Sequence, residues 1–269
     1  MKLSNSLGLS SVRSYSLASS YIPQAIAFFN AMSVQPSDAE KTVYNYAIKT
    51  YLVDTGDWDL LDWLYVPYAL NSADSKIELI NPSVTTYYLN PQNFGANFTA
   101  RSGWQGAATR YFKTAWNDSL ATKATRNSNS FGCFVESNVS TGKSIIGASD
   151  LGGVSQSLLY SNIAGSMQAW ANQTVAGVTA AIDTAGGLIS VKRINSTTIE
   201  LFQRGVSLGT FASASQALTS DEWYIAAWNL AGVAPIDHYL GIIQCAFRGS
   251  SAVNHLNIQN FVAYLKANL

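Results

Sequence analysis

Residues 193–210 read RINSTTIELFQRGVSLGT, and this stretch decides the fold class of the chain. Apolar residues such as Leu201 and Val206 fall among polar ones with a period of two, the pattern of a strand with one buried face. Asn195-Ser196 and Arg204-Gly205 are turn-forming pairs at the points where the chain must reverse. The stretch therefore predicts a β-hairpin, which needs further strands or helices to bury its apolar face.

The composition supports a large packed core and argues against several classes of partner. The chain has 269 residues, of which 48% are hydrophobic and 12% are charged, about half the usual charged share. Its 16 basic and 16 acidic side chains give a net charge of zero, so we expect neither a nucleic-acid partner nor an anionic membrane partner. The polar surface is left to uncharged side chains, as is common in proteins that act outside a cell.

The cysteines and the N-terminal segment favour folding in a cytoplasm. Cys133 and Cys245 each lie in an apolar, strand-like run, and two cysteines so far apart predict neither a disulfide framework nor a zinc site. We expect both to be buried thiols. The N-terminus has no continuous apolar core of signal-peptide length, and no run approaches the roughly 20 apolar residues of a membrane span.

The pattern along the chain divides it into three parts. Residues 1–30 are rich in serine without strong periodicity, and we expect an arm that becomes ordered on a partner. Residues 31–75 are predicted to be a helical lead-in, with WDLLDWLYV at 58–66 as a second, shorter helical turn. Residues 76–269 change to short alternating segments between turn residues, typical of an all-β sandwich.

Two helices are predicted in detail. Ser37 and Glu40 have the spacing of a capping box at the start of the first helix, and Gly56 ends it. A second helix closes the chain. The apolar stripes are Val43, Tyr44, Ala47, Ile48, Tyr51 and Leu52 in the first helix, and Ile258, Phe261, Val262 and Leu265 in the second.

Several stretches resemble one family. They are GWQGAATRYFKTAWN at 103–117, the lead-in LLDWLYVPYALNSADSKIELINP at 60–82, the closing FRGSSAVNHLNIQNFVAYLKANL at 247–269, and the hairpin at 193–210. Together they resemble the concanavalin A-like, laminin-G-type domains of bacteriophage virion structural proteins, over about residues 40–269. The resemblance implies a mainly β fold: a two-sheet antiparallel jelly-roll sandwich with N-terminal helices and a short C-terminal helix.

The resemblance also implies a function. It suggests a non-enzymatic virion protein, a fibre or decoration component of the head or tail, assembled in the host cytoplasm and therefore without an export signal. The implied partners are other virion proteins, contacted through the arm at 1–30, and glycans of the host surface. We expect a homo-oligomer, no membrane insertion and no cofactor. Two alternatives stay open: a purely architectural virion protein that binds no sugar, and a glycoside hydrolase.

The acidic residues argue against a hydrolase. Jelly-roll glucanases place their acids on one strand as Glu-x-Asp-x-x-Glu, so that two carboxylates flank the sugar bond. The nearest string here is DWDLLD, with Asp57, Asp59 and Asp62, and it lies before the predicted sheet. Neither His238 nor His255 has a neighbour at metal-ligand spacing. We therefore predict no catalytic and no metal-binding residue.

Aromatic residues supply the candidate ligand site. Sugars bind to flat apolar faces that stack on tryptophan or tyrosine, with amides and hydroxyls fixing the orientation. Trp104, Trp116, Tyr160 and Trp170 lie in polar stretches that contain glycine, serine or asparagine, and are predicted to line a shallow site. The alternative is that these four are core or rim aromatics of the sandwich.

Overall fold

A computed structural model describes residues 20–67, 71–93, 98–137, 142–150, 154–163, 165–174, 177–231 and 234–269. The helices are α1 Pro23–Ala31, α2 Asp38–Ile48, a π-helical turn Lys49–Val53 and α3 His255–Asn268. The strands are β1 Leu61–Tyr65, β2 Asn90–Gln92, β3 Phe98–Thr99, β4 Gly103–Gln105, β5 Tyr111–Asn117, β6 Asn129–Ser137, β7 Ser144–Ser149, β8 Gln156–Ile163, β9 Ser166–Gln173, β10 Val178–Ala181, β11 Ala185–Arg193, β12 Thr198–Gln203, β13 Val206–Ala212, β14 Glu222–Ile225, β15 Trp228–Leu230, β16 Ala234–Ile236 and β17 Ile242–Gly249.

The strands form two sheets that pack face to face. The first sheet has the order β13-β12-β11-β6-β17-β4-β3, with β1 also paired to β17. The second has the order β10-β9-β8-β7-β14-β5-β2, with β15 and β16 attached to it. Between the named strands the described pairings are antiparallel, except that of β15 with β7. The predicted fold class, a mainly β, concanavalin A-like jelly-roll sandwich with helices at its N- and C-terminal ends, is confirmed.

The first sheet is shared by two hydrophobic cores. Its inner face packs against the second sheet through residues such as Cys133 and Val191. Its outer face packs against the three helices through residues such as Phe134 and Cys245. Alternation along a strand sends successive side chains to opposite faces, which is why Cys133 and Phe134 belong to different cores. The molecule therefore has three layers: helices, first sheet and second sheet.

The hairpin predicted from residues 193–210 is present. Strands β12 and β13 are joined by Arg204 and Gly205, both with positive φ (53° and 76°), as a type I′ turn requires. Leu201 is fully buried. Val206, however, is 64% exposed, because β13 is the edge strand of the first sheet in the described part of the chain.

The two predicted helices are confirmed. Ser37 Oγ accepts a hydrogen bond from Glu40 N at 3.3 Å, and Glu40 Oε2 accepts one from Ser37 N at 2.8 Å, which completes the capping box. Gly56 lies in the left-handed region (φ 82°) beyond the π-helical turn. All four residues of the stripe predicted for α3 are buried.

The interpretation of residues 58–66 as helical is wrong beyond the first turn. Asp57–Leu60 forms a short 3-10 helix, and the chain then enters β1, which pairs with β17. All five residues of β1 are buried, since it lies in a sheet that is covered on both faces. Such a strand has no apolar–polar alternation, so its sequence period does not distinguish it from a helix.

The predicted arm also needs correction. The residues of α1 fall largely within 1–30, yet Ala25, Phe28 and Phe29 are buried in the core between helices and first sheet. This part of the arm belongs to the folded molecule. Residues 1–19 lie outside the described residues. No helix in the described ranges is long and apolar enough to cross a membrane.

Candidate functional site

Two of the four predicted site residues lie in the core. Trp104 and Trp116 are 2% and 3% exposed, because β4 and β5 turn these rings towards the interior of the sandwich. The ring of Trp104 meets that of Phe112 edge-on at 5.1 Å, and Trp116 meets Trp63 at 6.2 Å. Neither ring offers a free face to a sugar, so the prediction that they line a surface site is corrected.

The other two, Tyr160 and Trp170, come together on the outer face of the second sheet. Both are half-buried, and their ring centroids lie 5.6 Å apart at 59°. Tyr160 on β8 is directly opposite Gln168 on β9, and Trp170 is two residues further along on the same face. Gly177 backs the Trp170 ring so closely that an added Cβ would come within 2.6 Å of it. The ring is thus held by backbone as well as by Tyr160.

A row of directly paired residues extends this face across five strands. Trp170 pairs with Leu158, Gly147 pairs with both Leu158 and Tyr224, and Tyr224 pairs with Lys113. Directly opposed residues of a sheet share a face, so all five lie on the outer side. Leu158 packs over Gly147, where an added Cβ would meet Leu158 Cδ1 at 2.4 Å.

Further aromatic rings adjoin the row. Tyr111 lies 4.9 Å from Tyr224 and 5.8 Å from the imidazole of His238, measured between ring centroids. We call this group of rings the outer aromatic face; Tyr111 and Tyr224 in it are buried, at 9% and 6% exposure, whereas Tyr160 and Trp170 are partly accessible. Its members are Tyr111, Tyr160, Trp170, Tyr224 and His238.

Polar groups converge beside Tyr160. The Tyr160 hydroxyl donates to Asp237 Oδ2 at 2.6 Å, and Lys143 Nζ lies 3.3 Å from Asp237 Oδ1. Asp237 has a positive φ of 54°, and its carbonyl accepts a hydrogen bond from Ser144 N at 2.8 Å. Burial, together with Asp237, raises the pKa of Tyr160, so its hydroxyl remains a donor at neutral pH.

Two buried polar atoms at this position lack a partner. Among the residues that the structure describes, neither Ser144 Oγ nor His238 Nε2 has a hydrogen-bond partner. Ser144 pairs directly with Tyr160 and forms a β-bridge with His238, so the three residues are neighbours. Burial, and then Lys143, lowers the pKa of His238, which keeps its imidazole neutral. Unsatisfied buried polar groups are rare in folded proteins and mark places with a further role.

Sequence reasoning missed this polar cluster because its members are far apart in the chain. Gly142-Lys143-Ser144 has the composition of a turn, and His238 has no neighbour at metal-ligand spacing, so neither stretch indicates a site by itself. β6 and β7 belong to different sheets, so they do not form the hairpin that adjacent strands in a sequence suggest. Lys143 and Ser144, at the start of β7, lie instead beside the Asp237–His238 segment.

In the acidic string at 57–62, the carboxylates of Asp57 and Asp62 form hydrogen bonds that hold the fold. Asp57 accepts hydrogen bonds from Asn254 N and Asn257 Nδ2 at the start of α3. Asp62 accepts three backbone N–H groups from residues 122–124. Within the described residues no group of three His, Cys, Asp or Glu side chains is arranged to hold a metal ion.

The comparisons with known proteins show the fold. No protein-family model matches the chain, and no curated protein sequence matches it. The receptor-binding domain of botulinum neurotoxin C/D mosaic serotype superposes with a TM-score of 0.53 at 10% identity, over 77% of this chain and 51% of that chain. This chain therefore spans about half the length of the toxin domain.

Weaker structural matches are sialidase modules and sialidases. The CBM40 of Ruminococcus gnavus IT-sialidase aligns with a TM-score of 0.43 and 14% identity, over 58% of this chain and 95% of the module. The K499G mutant of NanB sialidase from Streptococcus pneumoniae aligns with a TM-score of 0.42 and 9% identity, over 55% and 25% of the two chains. The fold likeness therefore rests on the toxin domain, and at 10% identity that match does not transfer a function.

Proposed function

We propose that this protein is a non-enzymatic recognition protein that binds a glycan on its outer aromatic face. The observation that carries the proposal is the half-exposed pair of Tyr160 and Trp170 beside the Asp237–Lys143 ion pair. Stacking rings next to a carboxylate and an amine are the groups that a sugar ring needs for binding and orientation. The toxin domain that shares the fold is, by its name, a receptor-binding domain, which is compatible with such a role.

The setting that we propose is a bacteriophage virion, as a fibre or decoration component whose sandwich faces outward. This part of the proposal is supported by the sequence resemblance at 103–117, 193–210 and 247–269. The segment at 1–19 keeps its proposed role in attachment to other virion proteins. Mass spectrometry of purified particles tests this setting, and the absence of the chain from them would refute it.

Loss of sugar binding on changing Trp170 tests the glycan site. A glycan array first identifies the ligand, and its affinity is then measured for the wild type and for Trp170→Ala. We expect the substitution to weaken binding at least about tenfold, since a stacked ring contributes roughly 1.4 kcal/mol or more. Tyr46→Ala is the matched control, because Tyr46 is an exposed aromatic residue on α2, in the helical layer.

A folded-state check accompanies both variants. Each should keep the wild-type circular dichroism spectrum and a cooperative thermal transition. The proposal for the outer aromatic face would be refuted if the protein bound no glycan on the array. It would also be refuted if Trp170→Ala and the wild type had equal affinities.

A further inference from the structure

A cleft of about 320 Å³ lies beside β1, on different elements from the outer aromatic face. Its walls come from the 3-10 helix before β1, from residues 80–81 and from residues 122–123. We call it the Trp58 cleft. Its lining residues are Trp58, Asp59, Leu61, Asp62, Ile80, Asn81, Thr122 and Lys123.

Buried Asp62 fixes one wall of the Trp58 cleft. It sits at a register shift in the pairing of β1 with β17, and such bulges re-aim side chains. Its carboxylate accepts hydrogen bonds from Thr122 N at 2.7 Å, Lys123 N at 2.8 Å and Ala124 N at 2.8 Å. The backbone that presents Thr122 and Lys123 is therefore held rigidly.

Buried Glu78 fixes the opposite wall. Its carboxylate accepts hydrogen bonds from Leu64 N at 2.8 Å, Ile80 N at 2.7 Å and Asn81 N at 2.5 Å. Asp57 ties the 3-10 helix to α3 through Asn254 N at 2.8 Å. Three carboxylates thus position the walls before any ligand arrives, which lowers the entropic cost of binding.

Two of the side chains that face the cleft are left free by the fold. In the described ranges the side chains of Asp59 and Lys123 form no hydrogen bond and no ion pair, and both are exposed, whereas the Asn81 side chain is engaged with Glu78. Trp58 is half-buried, packed in part against the core between helices and first sheet. A rigid cleft therefore offers one indole ring, a carboxylate and an amine that are available to a ligand.

We infer that the Trp58 cleft is a second saccharide-binding site, which takes a single uncharged sugar ring. The indole supplies an apolar surface for a ring face, and the free polar groups supply donors and acceptors for hydroxyls. The lining has two carboxylates, Asp59 and Asp62, against the one ammonium of Lys123, which disfavours an acidic sugar and so favours a neutral one. The inference adds a site to the proposed glycan-binding function and uses none of the residues of the outer aromatic face.

The test is an NMR titration of the full chain with methyl β-D-galactoside, methyl β-D-glucoside and N-acetylglucosamine. The readout is the indole N–H signal of Trp58, assigned by its disappearance in Trp58→Phe. Titration to about 50 mM detects the millimolar affinity typical of a single ring. We expect at least one sugar to shift this signal, and the double variant Asp59→Ala/Lys123→Ala to weaken that binding at least about tenfold.

Trp170→Ala separates this inference from the proposed function. It should leave the Trp58 shift and its affinity unchanged. If none of the three sugars shifts the Trp58 signal, or if Asp59→Ala/Lys123→Ala binds as the wild type does, the cleft is not a saccharide site. In that case glycan binding that is lost in Trp170→Ala would still support the outer aromatic face. A Trp58 shift without any effect of Trp170→Ala on glycan affinity supports the cleft and refutes the outer site.

Discussion

At the scale of single residues, Asp118 and Arg248 form an ion pair in the sandwich core, where an unpaired charge would be costly. Both side chains are fully buried, and Arg248 Nε and Nη2 donate to the two carboxylate oxygens of Asp118 at 3.0 Å. The guanidinium also lies 4.7 Å from the ring of Trp223, whose Nε1 donates to Asp118 at 3.0 Å. Burial raises the pKa of Asp118 while Arg248 lowers it, so the carboxylate depends on its partner.

Removing the arginine should therefore destabilise the fold strongly. We expect Arg248→Met to lower the free energy of unfolding by about 3–5 kcal/mol, because an uncompensated carboxylate stays buried. The double variant Asp118→Asn/Arg248→Met should recover part of this loss, since the amide is neutral and still accepts from Trp223 Nε1. Urea unfolding measures both; a loss below about 1 kcal/mol for Arg248→Met would contradict the buried ion pair.

Glu78 should make stability depend on pH. Burial raises its pKa from 4.5 to about 7, although three backbone N–H groups act against this shift. Because the pKa is higher in the folded than in the unfolded state, its contribution is fully present below about pH 4.5 and is lost as pH rises through 7. Ionisation of Glu78 should thus lower the free energy of unfolding by up to roughly 3 kcal/mol between pH 4.5 and pH 8.

The corresponding variant is Glu78→Gln, which cannot ionise. Unfolding in urea at several pH values should show a flatter profile for this variant than for the wild type. Glu136→Gln is the matched control, because Glu136 is an exposed glutamate, 3.9 Å from Lys266 Nζ. Equal slopes in all three proteins would mean that Glu78 does not titrate in this range.

Single-residue environments were the least predictable part of the sequence. Trp104 and Trp170 both lie in short polar stretches, yet one is buried and the other half-exposed. The difference depends on which face of a strand meets the opposite sheet, and that follows from pairings with distant strands. The Trp58 cleft could not be predicted either, because its walls come from three separate segments of the chain, two of which are joined by the hydrogen bond from Thr122 N to Asp62, 60 residues away.

At the scale of elements, the β12–β13 hairpin contains two glycines with positive φ in different surroundings. Gly205 (φ 76°) lies against α3, where an added Cβ would come within 2.5 Å of Leu256 Cα. Gly209 (φ 121°) has nothing closer than 4.0 Å to such a Cβ. Both positions carry backbone strain for alanine, but only Gly205 adds a collision with backbone.

We expect Gly205→Ala to destabilise the protein more than Gly209→Ala. The strain term is about 1–2 kcal/mol in each variant, and the displacement of α3 adds to it only at Gly205. Calorimetric melting of the two variants measures the difference. Equal melting temperatures would show that α3 moves away from the hairpin without cost.

A truncation tests the place of α1 in the fold. Removing residues 1–30 deletes Phe28 and Phe29 from the core between helices and first sheet. Each loss is comparable to a buried Phe→Ala substitution, which lowers the free energy of unfolding by about 3–5 kcal/mol. We therefore expect this truncation to lower the melting temperature by roughly 10 °C or more. Removal of residues 1–19 alone leaves both phenylalanines in place and serves as the control; equal melting temperatures for the two truncations would exclude α1 from the core.

Elements were predicted well where their pattern is local. The capping box of α2, the apolar stripe of α3 and the turn of the β12–β13 hairpin are each contained in a few neighbouring residues. β1 was mistaken for helix because burial on both faces removes alternation from LDWLY. α1 was missed because PQAIAFFNA is apolar on most sides and has no clear stripe.

At the scale of the whole molecule, the first sheet contributes side chains to both hydrophobic cores. One cysteine lies in each core. Cys133 on β6 and Cys245 on β17 lie on adjacent strands but face opposite sides of the sheet, Cys133 towards the second sheet and Cys245 towards the helices. Their side chains therefore cannot form a disulfide. Both thiols are fully buried, and burial raises the pKa of each, so neither reacts as a thiolate in the folded state.

This arrangement predicts that the helical layer and the sandwich unfold together. β6 and β17 contribute side chains to both cores, so losing the helices would expose one face of the central strands to water. Two variants retain a single thiol each: Cys245→Ala and Cys133→Ala. In mild urea, both should react with a thiol reagent at the same rate after correction for their different stabilities. The reason is that only global unfolding exposes either thiol. Faster reaction of Cys245 in the Cys133→Ala protein would instead show that the helices detach first and leave the sandwich folded. That result would make the helical layer a separable unit, whereas equal rates make it part of one cooperative fold that also fixes the walls of the Trp58 cleft.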